Sequence, residues 1–265
     1  MTIDPSATVH PTAVVANGAQ VGPDCRIGAF CVVDENVVLG SDVTLKSHVV
    51  VTGSTRVGDG TVIFPFASIG EIPQDLKFAG EETRLEIGAR CRIREGVTMN
   101  TGTEGGGGLT KVGNDGLFMA NSHVAHDCVV GDRVIMANNS CLAGHCVVSD
   151  DVIIGGLSGV HQFVRIGRGA IIGAVTMVTN DVIPHGLVQG PRGVLDGLNL
   201  VGLKRKGVPR DDITALRAAY QTLAQGDGTF QDRARRLSDD AESDYVREVA
   251  DFVLSASDRS FLTPD

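Results

Sequence analysis

Residues 9–40 read VHPTAVVANGAQVGPDCRIGAFCVVDENVVLG, and every sixth residue from Val9 is aliphatic: Val15, Val21, Ile27, Val33 and Leu39. The step reaches back to Ile3 and forward through Leu45, Val51, Val57 and Ile63 to Ile69. It resumes at Ile87, Ile93 and Met99, then shifts by one residue and runs from Val112 through Phe118, Val124 and Val130 to Val178. Four places after each aliphatic residue stands a smaller one, as at Ala13, Ala19, Cys25 and Cys31. Glycine often follows the aliphatic residue directly, at Gly22, Gly28, Gly40, Gly58 and Gly70. A period of six matches neither the helical repeat nor the two-residue alternation of a long strand. It fits short strands joined by tight turns and stacked as a solenoid, each coil hydrogen-bonded to its neighbours. The smaller series fills the corners, and glycine there is expected to serve the turn dihedrals.

The composition agrees. The chain has 265 residues with 34 glycines, no tryptophan and only 9 Phe and 2 Tyr. A narrow prism takes many small aliphatic plugs and few rings. The net charge of -9 argues against a nucleic-acid binder, whose affinity rests on neutralising phosphates. No apolar run is long enough to span a membrane. Residues 1–10 lack the basic and apolar regions of a secretory signal, so the cytoplasm is the default reading.

Two stretches break the repeat. At 71–86 (EIPQDLKFAGEETRLE) the in-phase positions would be Asp75 and Glu81, which cannot be buried cheaply, so a loop leaves the prism. At 100–111 (NTGTEGGGGLTK) a glycine run precedes the phase slip and predicts a second loop. The run lacks the Gly-Lys-Ser/Thr of a phosphate loop and reads only as flexible. Beyond about Pro191 the repeat stops. Residues 1–190 therefore form one domain and 191–265 a second, helical one. Ile213, Leu216, Ala219, Tyr220 and Leu223 stand at helical spacing; another helix begins at Thr229, and a third covers 242–254. This domain would cap the open end of the solenoid.

The hexads resemble those of the hexapeptide-repeat acyltransferases, which implies three sides and eighteen residues per coil, wound left-handedly. The expected fold is thus mainly β, a left-handed parallel β-helix with a C-terminal α-helical domain. Residues eighteen apart would then lie about 4.8 Å apart. One column holds His126, Gly144 and Gln162; beside it run Asp127, His145 and Phe163, and on the other side Ala125, Ala143 and His161, with His123 close by. Histidines so gathered suit either a general base oriented by Asp127 or zinc. Gln162 and the lysine-bearing loop favour hydrogen bonding to a polar substrate over a metal. Cys25, Cys31, Cys91, Cys128 and Cys146 occupy the small corner position and behave as compact hydrophobes. Cys128 and Cys146 are one coil apart, but a cytosolic setting argues against a disulfide.

Several segments carry a closer resemblance: GEIPQDLKFAGE (70–81), GGGLTKVG (106–113), HVAHDCVVG (123–131), LAGH (142–145), VHQF (160–163) and GLKRKG (202–207). With HPTAVV (10–15) and LKSHVVV (45–51), they resemble the acyl-(acyl-carrier-protein)–UDP-N-acetylglucosamine O-acyltransferases, which begin lipid A synthesis. The resemblance implies transfer of a 3-hydroxyacyl group from acyl carrier protein to the glucosamine 3-hydroxyl, with no cofactor and no metal. It makes His126 the base, Asp127 its orienting partner and the Gly144 amide an oxyanion donor. Gln74, Asp75 and Lys77 would hold the sugar nucleotide, His123, His145, His161 and Gln162 would surround the sugar and acyl chain, and Asn199 and Arg205 would bind the nucleotide. Ala174 stands where side-chain size limits acyl length. The family is a homotrimer with sites between subunits, so a neighbouring subunit could bring Lys77 near His126. Arg165, Arg168 and Lys204–Lys206 are candidates for a basic patch facing the carrier protein. Two positions depart from the family pattern: Asn100-Thr101 replaces an arginine before Gly-Thr, and Val201 replaces a glutamate. Related N-acyltransferases, coenzyme A-dependent acetyltransferases and non-catalytic β-solenoids are the competing readings. The N-acyltransferases carry an extra N-terminal domain, whereas here the hexads begin at Ile3.

Overall fold

The structure, a computed structural model, describes residues 2–264. Its first part is a three-sided, left-handed parallel β-helix. Strands mostly two residues long stack into faces of nine, eleven and nine strands among the described residues. The first face opens with Thr2–Ile3, the second with Thr8–Val9 and the third with Val14–Val15. In each strand of the middle coils the in-phase residue is buried and its predecessor faces outward, as in Val32–Val33 and Thr44–Leu45. Ladder registers of eighteen residues, such as Gln20 with Val38, mark the regular coil.

The two breaks obey a simple count. Ser54 pairs with Arg84, a step of thirty residues. The excess over eighteen is twelve, two whole hexads, so the repeat resumes in phase at Ile87. Arg84 pairs with Leu109, a step of twenty-five. Here the excess is seven, one hexad and one residue, and that produces the phase slip. The excursions are narrower than expected: strands extend to Glu71 and Asn100 on entry and begin again at Arg84 and Leu109 on exit. Both loops leave from the edge between the third and first faces.

The glycines after the aliphatic residues do not serve the turn dihedrals, with the exception of Gly70 at φ 87°. Gly22, Gly28, Gly40 and Gly58 lie outside the left-handed region; they mark places where stacked coils approach closely. A methyl group at Gly22 would lie 2.5 Å from the Gly40 carbonyl oxygen. The left-handed step falls two residues later, on side chains such as Asp24, Phe30, Asp42 and His48. Non-glycine residues adopt it at a cost, which the corner hydrogen bonds to the previous coil offset; the Asp42 N–H, for example, donates to the Pro23 carbonyl.

Phe118, the one ring in the in-phase series, is fully buried. Gly116 occupies the small corner position beside it, where a methyl would come 2.7 Å from the Phe118 ring. Phe118→Ala is expected to cost about 3–5 kcal/mol, read as a lower urea midpoint at an unchanged slope.

The parallel ladder ends at Gly186–Gln189, which pairs antiparallel with Val194–Leu198. Among the described residues four helices follow: α1 (Leu200–Arg205), α2 (Arg210–Gln225), α3 (Phe230–Asp240) and α4 (Asp244–Leu254). Helix α1 carries no expected stripe. Helix α2 buries Ile213, Leu216, Ala219 and Leu223, while Tyr220 donates its hydroxyl to the Leu195 carbonyl. Thr229 caps α3 through a reciprocal capping box with Asp232. The described cysteines are all free, and the corner thiols donate to backbone carbonyls, Cys128 to Ala143 and Cys146 to His161. Burial pushes the Cys91 thiol up to about 11. Among the described residues, no helix is long and apolar enough to cross a membrane.

Candidate active site

One edge of the prism, between the third and first faces, gathers most of the candidate site residues. Five successive turns contribute there: the loops at 72–83 and 101–108, then Ala125–Asp127, Ala143–His145 and His161–Phe163. Asp127, His145 and Phe163 all take the left-handed corner step, at φ 60°, 62° and 65°.

His126 Nδ1 lies 2.8 Å from Asp127 Oδ2. A carboxylate accepts, so Nδ1 carries the proton and Nε2 keeps its lone pair. The Asp127 side chain is 1% exposed and meets two more donors: the Thr103 N–H at 2.8 Å and the Thr103 hydroxyl at 2.6 Å. Its own N–H donates to Thr110 Oγ1. The glycine run is therefore not merely flexible. It turns as a short 3₁₀ helix (Glu104–Gly106) capped by Thr103 and lies over this carboxylate, where a methyl at Gly106 would fall 2.0 Å from Asp127 Cγ. Residue 144 is glycine for a related reason. A Cβ there would lie 2.4 Å from His126 Cε1, so the imidazole rests directly against the Gly144 backbone.

His145 stacks on Phe163 with centroids 4.4 Å apart and presents its edge to His126 at 5.0 Å. Burial lowers His145 below the ordinary imidazole range; Asp127 opposes this and His126 adds to it. Burial also lowers His123, with His126 adding to this and a hydrogen bond to the Thr98 backbone opposing it; its Nδ1 lies 2.7 Å from Thr98 Oγ1.

A cavity of about 510 Å³ opens beside these groups. Its corner side is polar, with Gln74, His126, His161 and Gln162; its other side is the column Cys141, Gly159 and Met177 on the third face. Gly159 leaves a gap between the larger neighbours with which it is in register. Such a space accepts a polar head at one side and an aliphatic chain at the other.

Gln74 reaches this cavity from the same chain as His126. The loop starts only two coils before His126. Asn100 Nδ2 donates to the Glu71 and Ile72 carbonyls and so fixes its direction. Asp75 Oδ1 accepts from the Lys77 N–H, and both residues act electrostatically on His145 with opposite signs. Thr101, one of the departures from the family pattern, is buried and bonded to Thr83, tying the two loops together.

Seven expected site residues lie outside the cavity lining: Asp75, Lys77, Asp127 and His145, described above, and Asn199, Arg205 and Ala174. Asn199 caps α1 by accepting from the Gly202 N–H and donates to the Gly169 carbonyl. Arg205 is exposed on the last turn of α1, and Ala174 is exposed at the far edge of the third face. The expected basic patch is largely consumed internally: Arg165 pairs with buried Asp181, Arg168 with Glu248 and Lys206 with Asp151. Burial would raise Glu248, but its bonds to His185 and Arg168 bring it down to about 2.

Ligand atoms of His126, Asp127 and His145 lie within 4.8 Å of one another, a spacing that a metal could use. Asp127 already receives Thr103 and His126. Thr103, Thr110 and Arg259 escaped sequence reasoning. Thr103 acts from a loop and Arg259 from the tail, neither with periodicity, and Thr110 stands in the strand Leu109–Val112 where the second excursion rejoins the prism. Cys141, Gly159 and Met177 were open to it, because they stand eighteen apart in the same column as His123.

Residues 181–262 match the family model described as Udp N-acetylglucosamine O-acyltransferase, domain 2. The acyl-(acyl-carrier-protein)–UDP-N-acetylglucosamine O-acyltransferase of Paracoccus denitrificans is 69% identical over 203 residues, 77% of each chain. That of Rhizobium etli is 50% identical over 218 residues, 82% of this chain and 80% of the relative. A crystal structure of UDP-N-acetylglucosamine acyltransferase superimposes with a TM-score of 0.94 at 39% identity, covering 97% of this chain and 99% of the other. The enzyme from Campylobacter jejuni gives 0.92 at 35%, covering 97% and 100%. With a relative this similar over three quarters of its length, the chain belongs to the acyl-(acyl-carrier-protein)–UDP-N-acetylglucosamine O-acyltransferases.

Proposed function

We propose that this protein moves a 3-hydroxyacyl group from acyl carrier protein to the glucosamine 3-hydroxyl of UDP-N-acetylglucosamine, the first step of lipid A biosynthesis, in the cytoplasm. The observation that carries the reading is the His126–Asp127 pair at the border between the polar and apolar sides of one cavity. His126 Nε2 takes the proton of the 3-hydroxyl as that oxygen attacks the thioester carbonyl. The tetrahedral oxyanion accepts from the Gly144 N–H. Collapse breaks the carbon–sulfur bond, and the departing thiolate takes the proton from His126. Asp127 orients the ring and stabilises its charged form, held in turn by Thr103. Gln74, Asp75, Lys77, His123, His145, His161 and Gln162 bind the sugar nucleotide and the head of the acyl group. The chain lies along Cys141, Gly159 and Met177, with Ala174 at the far edge limiting its length.

Asn199 and Arg205 reach a substrate only from another subunit, which accords with a homotrimer. Supporting this, the edge between the second and third faces exposes Phe30, Phe66, Leu157 and Val175. Leu76 at the loop tip is fully exposed as well. Apolar side chains so arranged along one edge favour burial against a further copy.

The test is a transfer assay on purified protein with UDP-N-acetylglucosamine and a series of 3-hydroxyacyl carrier-protein thioesters. An ester on the sugar 3-hydroxyl is expected for one range of chain lengths. No transfer at any length overturns the reading, and equal transfer from matched coenzyme A thioesters replaces it with the coenzyme A-dependent alternative.

A further inference from the structure

The C-terminal segment after α4 crosses back over the prism to the active-site edge. Its anchor is Asp181, which is fully buried. Asp181 receives Arg165 Nε at 2.7 Å and the Ser257 hydroxyl at 2.6 Å on one carboxylate oxygen, and the Arg165 N–H on the other. Its backbone bonds on both sides to the same segment: its N–H donates to the Ser260 carbonyl, and its carbonyl accepts from the Leu262 N–H. Arg165 adds a bond to Ser255 and lies over the Phe252 ring, 4.6 Å from its centroid. The stretch between Ser257 and Leu262 is therefore held at several points, and Arg259 lies within it. The Arg259 N–H itself donates to Ser257 Oγ.

From this position the Arg259 guanidinium spans two acceptors. Nε donates to the Gln162 carbonyl at 3.0 Å, and Nη2 lies 2.7 Å from His161 Nδ1. A guanidinium only donates. His161 Nδ1 must therefore accept, which leaves the ring proton on Nε2. His126 is held the opposite way, with its proton on Nδ1 facing Asp127. The same cavity thus contains one imidazole presented as an acceptor and another presented as a donor.

We infer that Arg259 is a positioning residue: it fixes His161 as an Nε2–H donor toward the polar part of the substrate, keeping it from serving as a second base. The inference rests on the proposed function for its kinetic consequence, but its structural core does not. Arg259 acts through His161 and Gln162, and the buried Asp181 anchor gives it the rigidity that a tail residue would otherwise lack.

The experiment uses the full-length protein with ¹⁵N-labelled histidine. Long-range ¹H–¹⁵N correlation is expected to show His161 as a single Nε2–H tautomer, and Arg259→Met to show a mixture. An unchanged His161 pattern in Arg259→Met overturns the inference. In the transfer assay, Arg259→Met is expected to lower kcat/KM on the order of tenfold, the scale of one lost charge-assisted hydrogen bond, with Arg259→Lys recovering part of it. In a His161→Ala background, Arg259→Met should cause no further loss. A loss of the same size in that background would mean that Arg259 only holds the tail in place. A wild-type protein that shows the single tautomer but transfers no acyl group would sink the proposed function and leave the orienting contact standing.

Discussion

His126→Ala is expected to lower kcat/KM for acyl transfer by about 10²- to 10⁴-fold while leaving the unfolding midpoint nearly unchanged. The ring is only 13% exposed, but it lies outside the prism, resting against Gly144 rather than filling the aliphatic core. Its removal takes away the Nε2 lone pair that Asp127 orients. Binding of UDP-N-acetylglucosamine should persist, because Gln74, His161 and Gln162 remain in the cavity lining. Steady-state kinetics beside a binding titration separates the two effects. A variant that binds the sugar nucleotide and still transfers at the wild-type rate would move the base elsewhere and reopen the non-periodic loops as its source.

The second large effect is expected from a single methyl group. Gly144→Ala places a Cβ 2.4 Å from His126 Cε1 and 2.6 Å from Nε2, well inside any permitted contact. The backbone of residue 144 is locked into the coil ladder, since its carbonyl accepts from the Phe163 N–H. The imidazole must therefore move. Displacing a reacting group by about 1 Å can cost on the order of a hundredfold, and the ring would lose its alignment with Asp127 as well. Activity should fall about 10²-fold, and a crystal structure of the variant should show the His126 ring rotated from Asp127 Oδ2. A fully active Gly144→Ala would mean that the ring has a second, equally competent position. It would also weaken the assignment of the residue 144 amide as oxyanion donor.

The parts of the molecule that repeat were legible before any coordinates. An aliphatic residue every six positions can be buried in only a few ways, and eighteen-residue columns brought His126, Gly144 and Gln162 together correctly. Thr103 carries no such signal. It sits in an excursion seven residues longer than a regular coil, and only the fold reveals that the excursion turns back onto Asp127. Arg259 is harder still, because its partner His161 lies 98 residues earlier in the chain and the link depends on a buried carboxylate in between. The basic residues failed for another reason. Charge in a sequence does not reveal its counter-charge, and Arg165 and Arg168 proved to have theirs inside the fold. The corner glycines misled because small size and left-handed backbone are separate uses of the same residue, and this prism mostly uses the first.

The incremental character of the coils has an outcome for how the molecule opens. At the amino-terminal end, Thr2–Ile3, Thr8–Val9 and Val14–Val15 bury their in-phase residues only partly, whereas from Gln20–Val21 onward those residues are fully covered. The opposite end is held by helices and by the Asp181 anchor. Loosening therefore starts at the first coil and advances turn by turn, and several intact turns separate that fraying end from His126. The His126 edge is insulated by distance along the stack, so the beginning of the chain can breathe without disturbing it.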